Sequence, residues 1–498
     1  MIQWRISMFR HSISLSIAAA LAGALVLTPA PDASACGGSF SPPPDPQNPE
    51  VIEIAAQRMA FSISDAQTVL WSQIEYEGPP EEFAWVLPVG PGSTIELASP
   101  NWFDALEAAT STHVVAPGAC GPAPVYEEPS SGGCGCGSKS YDGAGLRGGP
   151  QEPGTSSVDV VSRGTLGPYD TVTLSAQNAD AVKDWLTTNG YSIPADVGPI
   201  LDEYTMKGMD FIALKLKSDS STGQMQPVRV VMKGASSMIP FRMMVAGARA
   251  MVPVTLFVIG EGRYAPQSYP ETTLDAGSLI WDFAAENSNY AETREALLKA
   301  SEGGRGFLTT FAQGGGLHKT VVDHLGNPVE LKPPAKEAGT ASSLAELYLK
   351  MVDAENVLSA GECAAILQQL KLNESATVED CALGACPAGS LSKAELECEN
   401  GKDLAAALLG MRPGDAWVTR LEANLPKEGL TVDLTLQPAP AQDEKSNWVV
   451  AGQHENCTET FYSTASVDIP GARRKSTEMV AAAFAFGAAL LRRRSRSV

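Results

Sequence analysis

Positive charge and histidine are both scarce in this sequence. Lys and Arg number 36 against 57 Asp and Glu, a formal charge of −21 over 498 residues, and there are five histidines. A surface this acidic repels phosphate backbones, and no basic patch interleaved with aromatics offsets it, so nucleic acid is excluded as a partner. A Walker loop, H-E-x-x-H and G-x-S-x-G are missing, as are paired C-x-x-C knuckles and any convincing internal repeat, and the G-x-G-x-x-G at residues 143–148 (GAGLRG) sits inside a Gly-rich stretch instead of between a strand and a helix. Those absences remove the common phosphate, zinc-protease and serine-hydrolase readings, the Gly-rich context removes the dinucleotide one, and no cofactor is implied. No long membrane span is present either. The two most apolar runs, Ile13–Leu27 and Met479–Leu491, fall short of the roughly 20 residues a spanning helix needs.

What is present begins at the N-terminus, MIQWRISMFRHSISLSIAAALAGALVLTPAPDASAC. Arg5, Arg10 and His11 form a cationic region, Ile13–Leu27 an apolar one, and Ala33-Ser34-Ala35 supplies small residues at −3 and −1 of a cleavage site. Residues 1–35 therefore read as a signal peptide cleaved after Ala35. Removing Arg5, Arg10 and Asp32 takes the charge from −21 to −22. All nine cysteines survive cleavage: Cys36, Cys120, Cys134, Cys136, Cys363, Cys381, Cys386, Cys398 and Cys457. In an oxidising compartment these are disulfide candidates, although an odd number leaves one over. Lipidation of Cys36 would restore even parity, but a lipobox wants leucine or a similar residue where Ala33 stands. Plain cleavage fits better, with Cys36 joined to a cysteine of the 120–136 loop.

Alternation and turn signals place strands at "EIAAQRMAFSI", "TVLWSQIEYEG" and the near-continuous apolar run "FAWVLPV". Ser99-Pro100 forms an N-cap and N1 pair for a helix over residues 101–110. Residues 115–156 are an insertion loop dense in Gly, Ser, Pro and Cys. Strands "VDVVSR" and "YDTVTL" follow, then helices stopped by Gly190 and Gly208, then strands "MDFIALKLK", "QPVRVVMK" and "VPVTLFVIG". After about residue 275, "NYAETREALLKA", "SSLAELYLKMVDA" and "SKAELECENGKDLAAALLG" carry helical spacing, while "AWVTRLEANL" and "LTVDLTL" return to strand. The expected class is α+β, with a mainly antiparallel sheet in the N-terminal half, a helix-richer C-terminal half, and disulfide staples. The expected organisation is a β-rich domain over 36–275, a mixed, helix-rich region over 276–470, and a short apolar helix with an Arg cluster over 471–498.

Several constellations invite chemistry. His318 and His324, six apart with Asp323 beside them, would share a face if they lay on a strand, and could then hold a metal. His454 and Cys457 stand three apart as a conceivable catalytic pair. Cys134 and Cys136 in "GCGCG" suggest a reducible disulfide or two thiolate ligands, though stapling of the glycine-rich loop is the plainer reading. "GEGR" at 260–263 lacks the later glycine of a phosphate loop and reads as a turn. None of these is assigned a catalytic, cofactor or metal role. At the C-terminus, the apolar segment 479–491 is flanked by Arg473, Arg474, Lys475 and then Arg492, Arg493, Arg494 and Arg496. Thirteen helical residues reach about 20 Å, so membrane association would require thinning and snorkelling.

"ACGG", "EYEGPPEEFAWVLPV", "GPYDTVTL", "WLTTNGYSIP", "YTMKGMDFIALKL", "IPFRMMVAGARAMVPVTLFVIGEGRYAP" and "AWVTRLEANL" together resemble, in order, the blocks of a bacterial secreted family, domain of unknown function 2330. The likeness runs over most of residues 36–437. The tail separately resembles the C-terminal sorting signals of myxobacterial surface proteins, without the cysteine those place before the helix. The resemblance implies an exported envelope protein and carries no catalytic residues across. The expected function is non-catalytic binding or structure in the periplasm, outer membrane or cell surface, with an unidentified envelope partner; the alternative is an exported hydrolase or thiol- or metal-dependent enzyme. Arg263 is expected to pair with an acidic residue.

Overall fold

The computed structural model describes residues 36–43, 53–77, 84–118, 160–175, 180–217, 225–334, 339–356, 402–411 and 414–454. At the centre is an eight-stranded mixed sheet. Its strands are β2 (Glu53–Ile63), β3 (Gln67–Glu77), β5 (Thr94–Leu97), β10 (Val228–Lys233), β12 (Met251–Glu261), β14 (Glu271–Thr272), β17 (Phe307–Gly314) and β18 (Ala416–Pro426), in the spatial order β14-β17-β18-β12-β2-β3-β10-β5. A five-stranded sheet, in the order β1-β4-β9-β8-β7, contains β1 (Gly38–Phe40), β4 (Ala84–Val89), β7 (Val160–Leu166), β8 (Tyr169–Leu174) and β9 (Asp210–Leu216). Three smaller sheets complete the set. One joins β11 (Met238–Ile239), β13 (Tyr264–Pro266) and β19 (Leu434–Pro438), and another joins β15 (Ile280–Asp282), β16 (Asn287–Ser288) and β21 (Gln453–His454). The last pairs β6 (His113–Val115) with β20 (Trp448–Val450).

The central sheet is buried on both faces, which explains why its strands read as continuous apolar runs. On one face Met59, Phe61, Leu70, Leu256 and Val258 join the five-stranded sheet's Trp85, Leu87, Ile212 and Leu214 in one core. On the other face Ala60, Val69, Trp71, Phe257 and Ile259 pack on helices α1 (Pro100–Thr110), α5 (Leu344–Asn356) and α6 (Lys402–Leu408). Three further helices are α2 (Ala181–Thr188), α3 (Gly198–Met206) and α4 (Tyr290–Ala300).

Local chemistry accounts for the element ends. The β2–β3 hairpin turns at Ser64, whose amide donates to the Gln67 carbonyl (3.0 Å) and whose hydroxyl accepts from the Gln67 amide (3.1 Å). Ser99 Oγ accepts from the Asn101 amide (3.2 Å) at the start of α1, and Pro100 sits where its missing N–H costs nothing. α2 and α3 are followed by Gly190 and Gly208 at φ 85° and 76°, a left-handed conformation in which a Cβ is unfavourable.

The expected class is corrected on three points. In place of one mainly antiparallel sheet there are several, and parallel pairs enter them where β12 runs beside β2, β14 beside β17, β15 beside β21 and β20 beside β6, while the five-stranded sheet is antiparallel throughout. Among the described residues a helix-richer C-terminal half is not supported. Among the described residues three helices lie on each side of residue 275, and seven strands follow it. Helical spacing in α4, α5 and α6 was legible, but β18 supplies the strand between β12 and β17, with pairing partners far away in sequence. Nor do disulfides staple the described fold: Cys36 is a free, buried thiol. The candidates Cys120, Cys134, Cys136, Cys363, Cys381, Cys386, Cys398 and Cys457 lie outside the described residues.

One pH effect follows from the start of α5. Glu346 accepts from the Ser342 amide (2.9 Å) and hydroxyl (2.7 Å), and pairs with Lys350 at 2.8 Å. Burial alone would raise its pKa, but Lys350 and Ser342 outweigh burial and hold it at about 2, against an ordinary value of 4.5. A carboxyl depressed on folding contributes stability above its unfolded value and loses it as pH falls through the folded one. The stability advantage of the wild-type chain over Glu346→Gln should therefore be full above about pH 4.5 and shrink toward pH 2, read from denaturant unfolding at stepped pH.

Candidate functional site

The stretch Cys36-Gly37-Gly38 is built into the core. β1 pairs antiparallel with β4, matching Gly38 with Val86 and Ser39 with Trp85. On its other side the Ser39 amide donates to the Ala246 carbonyl (2.9 Å), next to the 3-10 turn Phe241–Val245. Each glycine is a close approach. A Cβ on Gly37 would lie 1.9 Å from Trp85 Nε1, and one on Gly38 would lie 2.5 Å from the Met243 carbonyl oxygen. Cys36 itself has no exposed surface. Its thiol contacts Gln57 Oε1 at 3.5 Å and Met59 Sδ at 3.7 Å. Burial pushes the Cys36 pKa far up and the Asp433 carboxylate adds to that, against a smaller opposing pull from a backbone hydrogen bond with Gly37.

Asp433 anchors a polar cluster on this side of the core. It accepts from the Tyr204 hydroxyl and from the Arg242 amide (3.3 Å), and Lys207 Nζ lies 3.7 Å away. Burial and then Asp433 raise the pKa values of Tyr204 and Tyr269, so both phenols stay protonated.

Two buried ion networks occupy the opposite face. Asp403, at the start of α6, accepts four hydrogen bonds: from Trp71 Nε1 (2.7 Å), Arg229 Nη1 (2.7 Å), the Ser99 amide (2.9 Å) and the Tyr348 hydroxyl (3.0 Å). It thereby ties α1, α5 and α6 to β3 and β10. Arg420 of β18 donates to Glu422 (2.8 Å), Glu107 (2.9 Å) and Thr110 (3.3 Å), and its guanidinium lies over the Phe257 ring at 5.4 Å. Arg294 of α4 completes that network through Glu422. These saturated charges act as internal struts. None of these charges was among the candidate residues above, although a charge inside an apolar run was the available signal, as in "AWVTRLEANL" and "KDLAAALL".

The histidine candidates do not assemble into a metal site. His318 and His324 do not share a strand face. His318 is buried in a turn whose amide donates to the Gly315 carbonyl (3.1 Å), and His324 lies in the Asp323–Asn327 turn. His324 instead approaches Trp448 (ring centroids 6.5 Å), whose indole also stacks with His113 at 4.5 Å. Burial lowers the His113 pKa, favouring the neutral ring. No group of three or more metal-ligating His, Cys, Asp or Glu side chains occurs among the described residues. His454 falls in β21, while Cys457, Cys134 and Cys136 lie outside the described residues. Arg263 does find its acid, with Nη2 2.7 Å from Glu271. A cavity of about 210 Å³ lies between β17 and the 444–447 segment, lined by Phe311, Val321, Val322, Glu444, Lys445 and Asn447 among others. Burial, and then Arg263, hold the Lys445 amine below its ordinary pKa.

No curated protein and no solved structure matches the chain. The "AWVTRLEANL" block of β18 lies beyond the region that a family profile recognises, yet it supplies a central strand of the same sheet. That profile matches residues 30–323. The chain belongs to the family of uncharacterized proteins conserved in bacteria, DUF2330.

Proposed function

We propose that the protein is exported and works in the cell envelope as a non-catalytic binding or structural protein. The observation that carries this reading is the position of Cys36. The residue that follows the cleavage motif Ala33-Ser34-Ala35 is already a core residue with no exposed surface. Cleavage after Ala35 would thus remove the cationic and apolar leader without cutting into the described core, which begins at Cys36. The non-catalytic part is supported by Asp403, Arg229, Arg420 and Glu422, buried charges consumed in mutual pairing.

The same burial argues against lipid at Cys36, because a thioether-linked glyceride needs Sγ at the surface. Any anchor is then assigned to the apolar segment 479–491 with its arginine cluster, the segment that resembles a sorting signal. N-terminal sequencing and intact mass of the chain recovered from fractionated cells test the reading. The expected result is an envelope fraction whose chain starts at Cys36 without an acyl mass. A cytosolic chain retaining residues 1–35 overturns export, and an acylated Cys36 overturns the tail assignment.

A further inference from the structure

We propose that Cys36, Met59 and Gln57 form a buried binding site for a soft monovalent metal ion of the Cu(I) class. Gln57 and Met59 are two residues apart on β2 and therefore point to the same face. The docking of β1 lays Cys36 across them, with Sγ 3.5 Å from Gln57 Oε1 and 3.7 Å from Met59 Sδ. Three electron-pair donors converge there with one proton between them, since a single S–H cannot satisfy both acceptors. The Gln57 amide is itself anomalous. It is 1% exposed, and its Nε2 has no hydrogen-bond partner among the described residues. Its oxygen, directed at the thiol, is the third electron-pair donor that a cation there would meet.

The donor set selects the metal. Thiolate and thioether sulfur favour Cu(I) over harder, strongly hydrated cations. With metal–sulfur bonds of about 2.3 Å, two vertices of a tetrahedron stand about 3.8 Å apart, close to the Sγ–Sδ separation. Binding breaks the S–H bond, releases the proton to solvent and forms a metal–sulfur bond, so one positive charge replaces another and the core stays neutral. No electron is transferred. Entry has a physical route, because β1 is a three-residue strand at the edge of its sheet and can lift without unpairing the rest.

The test begins by blocking the thiols of the native, reduced chain that iodoacetamide can reach. Cu(I) is then titrated against a competing chromophoric chelator. The expected result is one equivalent bound by the parent chain, lost in Cys36→Ser, and held at least tenfold more weakly by Met59→Leu. Met59→Leu conserves volume and is expected to keep the fold, so it decides the question alone if Cys36→Ser does not fold. Loading should also raise the thermal midpoint of the parent and not that of Met59→Leu. Equal affinity and equal stabilisation in the parent and Met59→Leu overturn the proposal.

Discussion

Asp403→Ala is expected to destabilise the fold by about 3–5 kcal/mol, the range for removing one partner of a buried ion pair. Asp403 is 2% exposed, and the Arg229 side chain that it neutralises is 6% exposed. Deleting the carboxylate strands that guanidinium, with Glu96, itself half exposed, as its remaining partner. It also leaves the Trp71 indole N–H, the Ser99 amide and the Tyr348 hydroxyl without their acceptor. These groups sit on β3, the N-terminus of α1, and α5, so the loss should loosen the helical layer as a unit. Denaturant unfolding reads the energy, and hydrogen exchange should show α1 and α5 losing protection together. A change under 1 kcal/mol would mean that the network is not the strut described.

Gly37→Ala should produce the second large effect. A methyl at this position meets Trp85 Nε1 at 1.9 Å, and Trp85 is 1% exposed, so the indole has nowhere to retreat. Overpacking of this kind costs about 1–3 kcal/mol. The cheapest relief is to lift β1 off β4, because β1 is short and at an edge. The variant should therefore combine lower stability with a Cys36 thiol that reacts with iodoacetamide under native conditions, where the parent thiol stays protected. Gly118→Ala is the matched control, since a Cβ there meets nothing within 4 Å and no positive φ is required. Equal protection of Cys36 in parent and Gly37→Ala chains would show that β1 yields elsewhere.

The comparison of sequence with structure divides along physical lines. "EIAAQRMAFSI" coincides with β2, "FAWVLPV" contains β4, and Ser99-Pro100 opens α1. Each follows from periodicity or capping, which are properties of neighbouring residues. Arg263 likewise finds its acid only eight residues away. The misreadings concern relations that neighbours do not encode. Alternation along β3 sets Leu70 and Ile74 on one face and does not say that Val69 and Trp71 on the other are buried as well, because helices cover that face. Cys36 was expected to form a disulfide, yet the two glycines after it let the chain slide against Trp85 and carry the thiol into the core.

By itself the sequence determined the longer strands and several helix ends, the excess of acid, and an A-x-A motif ahead of Cys36. Only the tertiary structure decided that β18 enters the middle of a sheet begun by β2, and that Asp403 meets Arg229 across 174 positions. It also decided that Cys36 faces a thioether and an amide rather than another cysteine. The reason is physical. Local conformation is set by sterics and hydrogen bonds within a few residues, whereas strand order and the pairing of buried charges are set by which distant surfaces exclude water together.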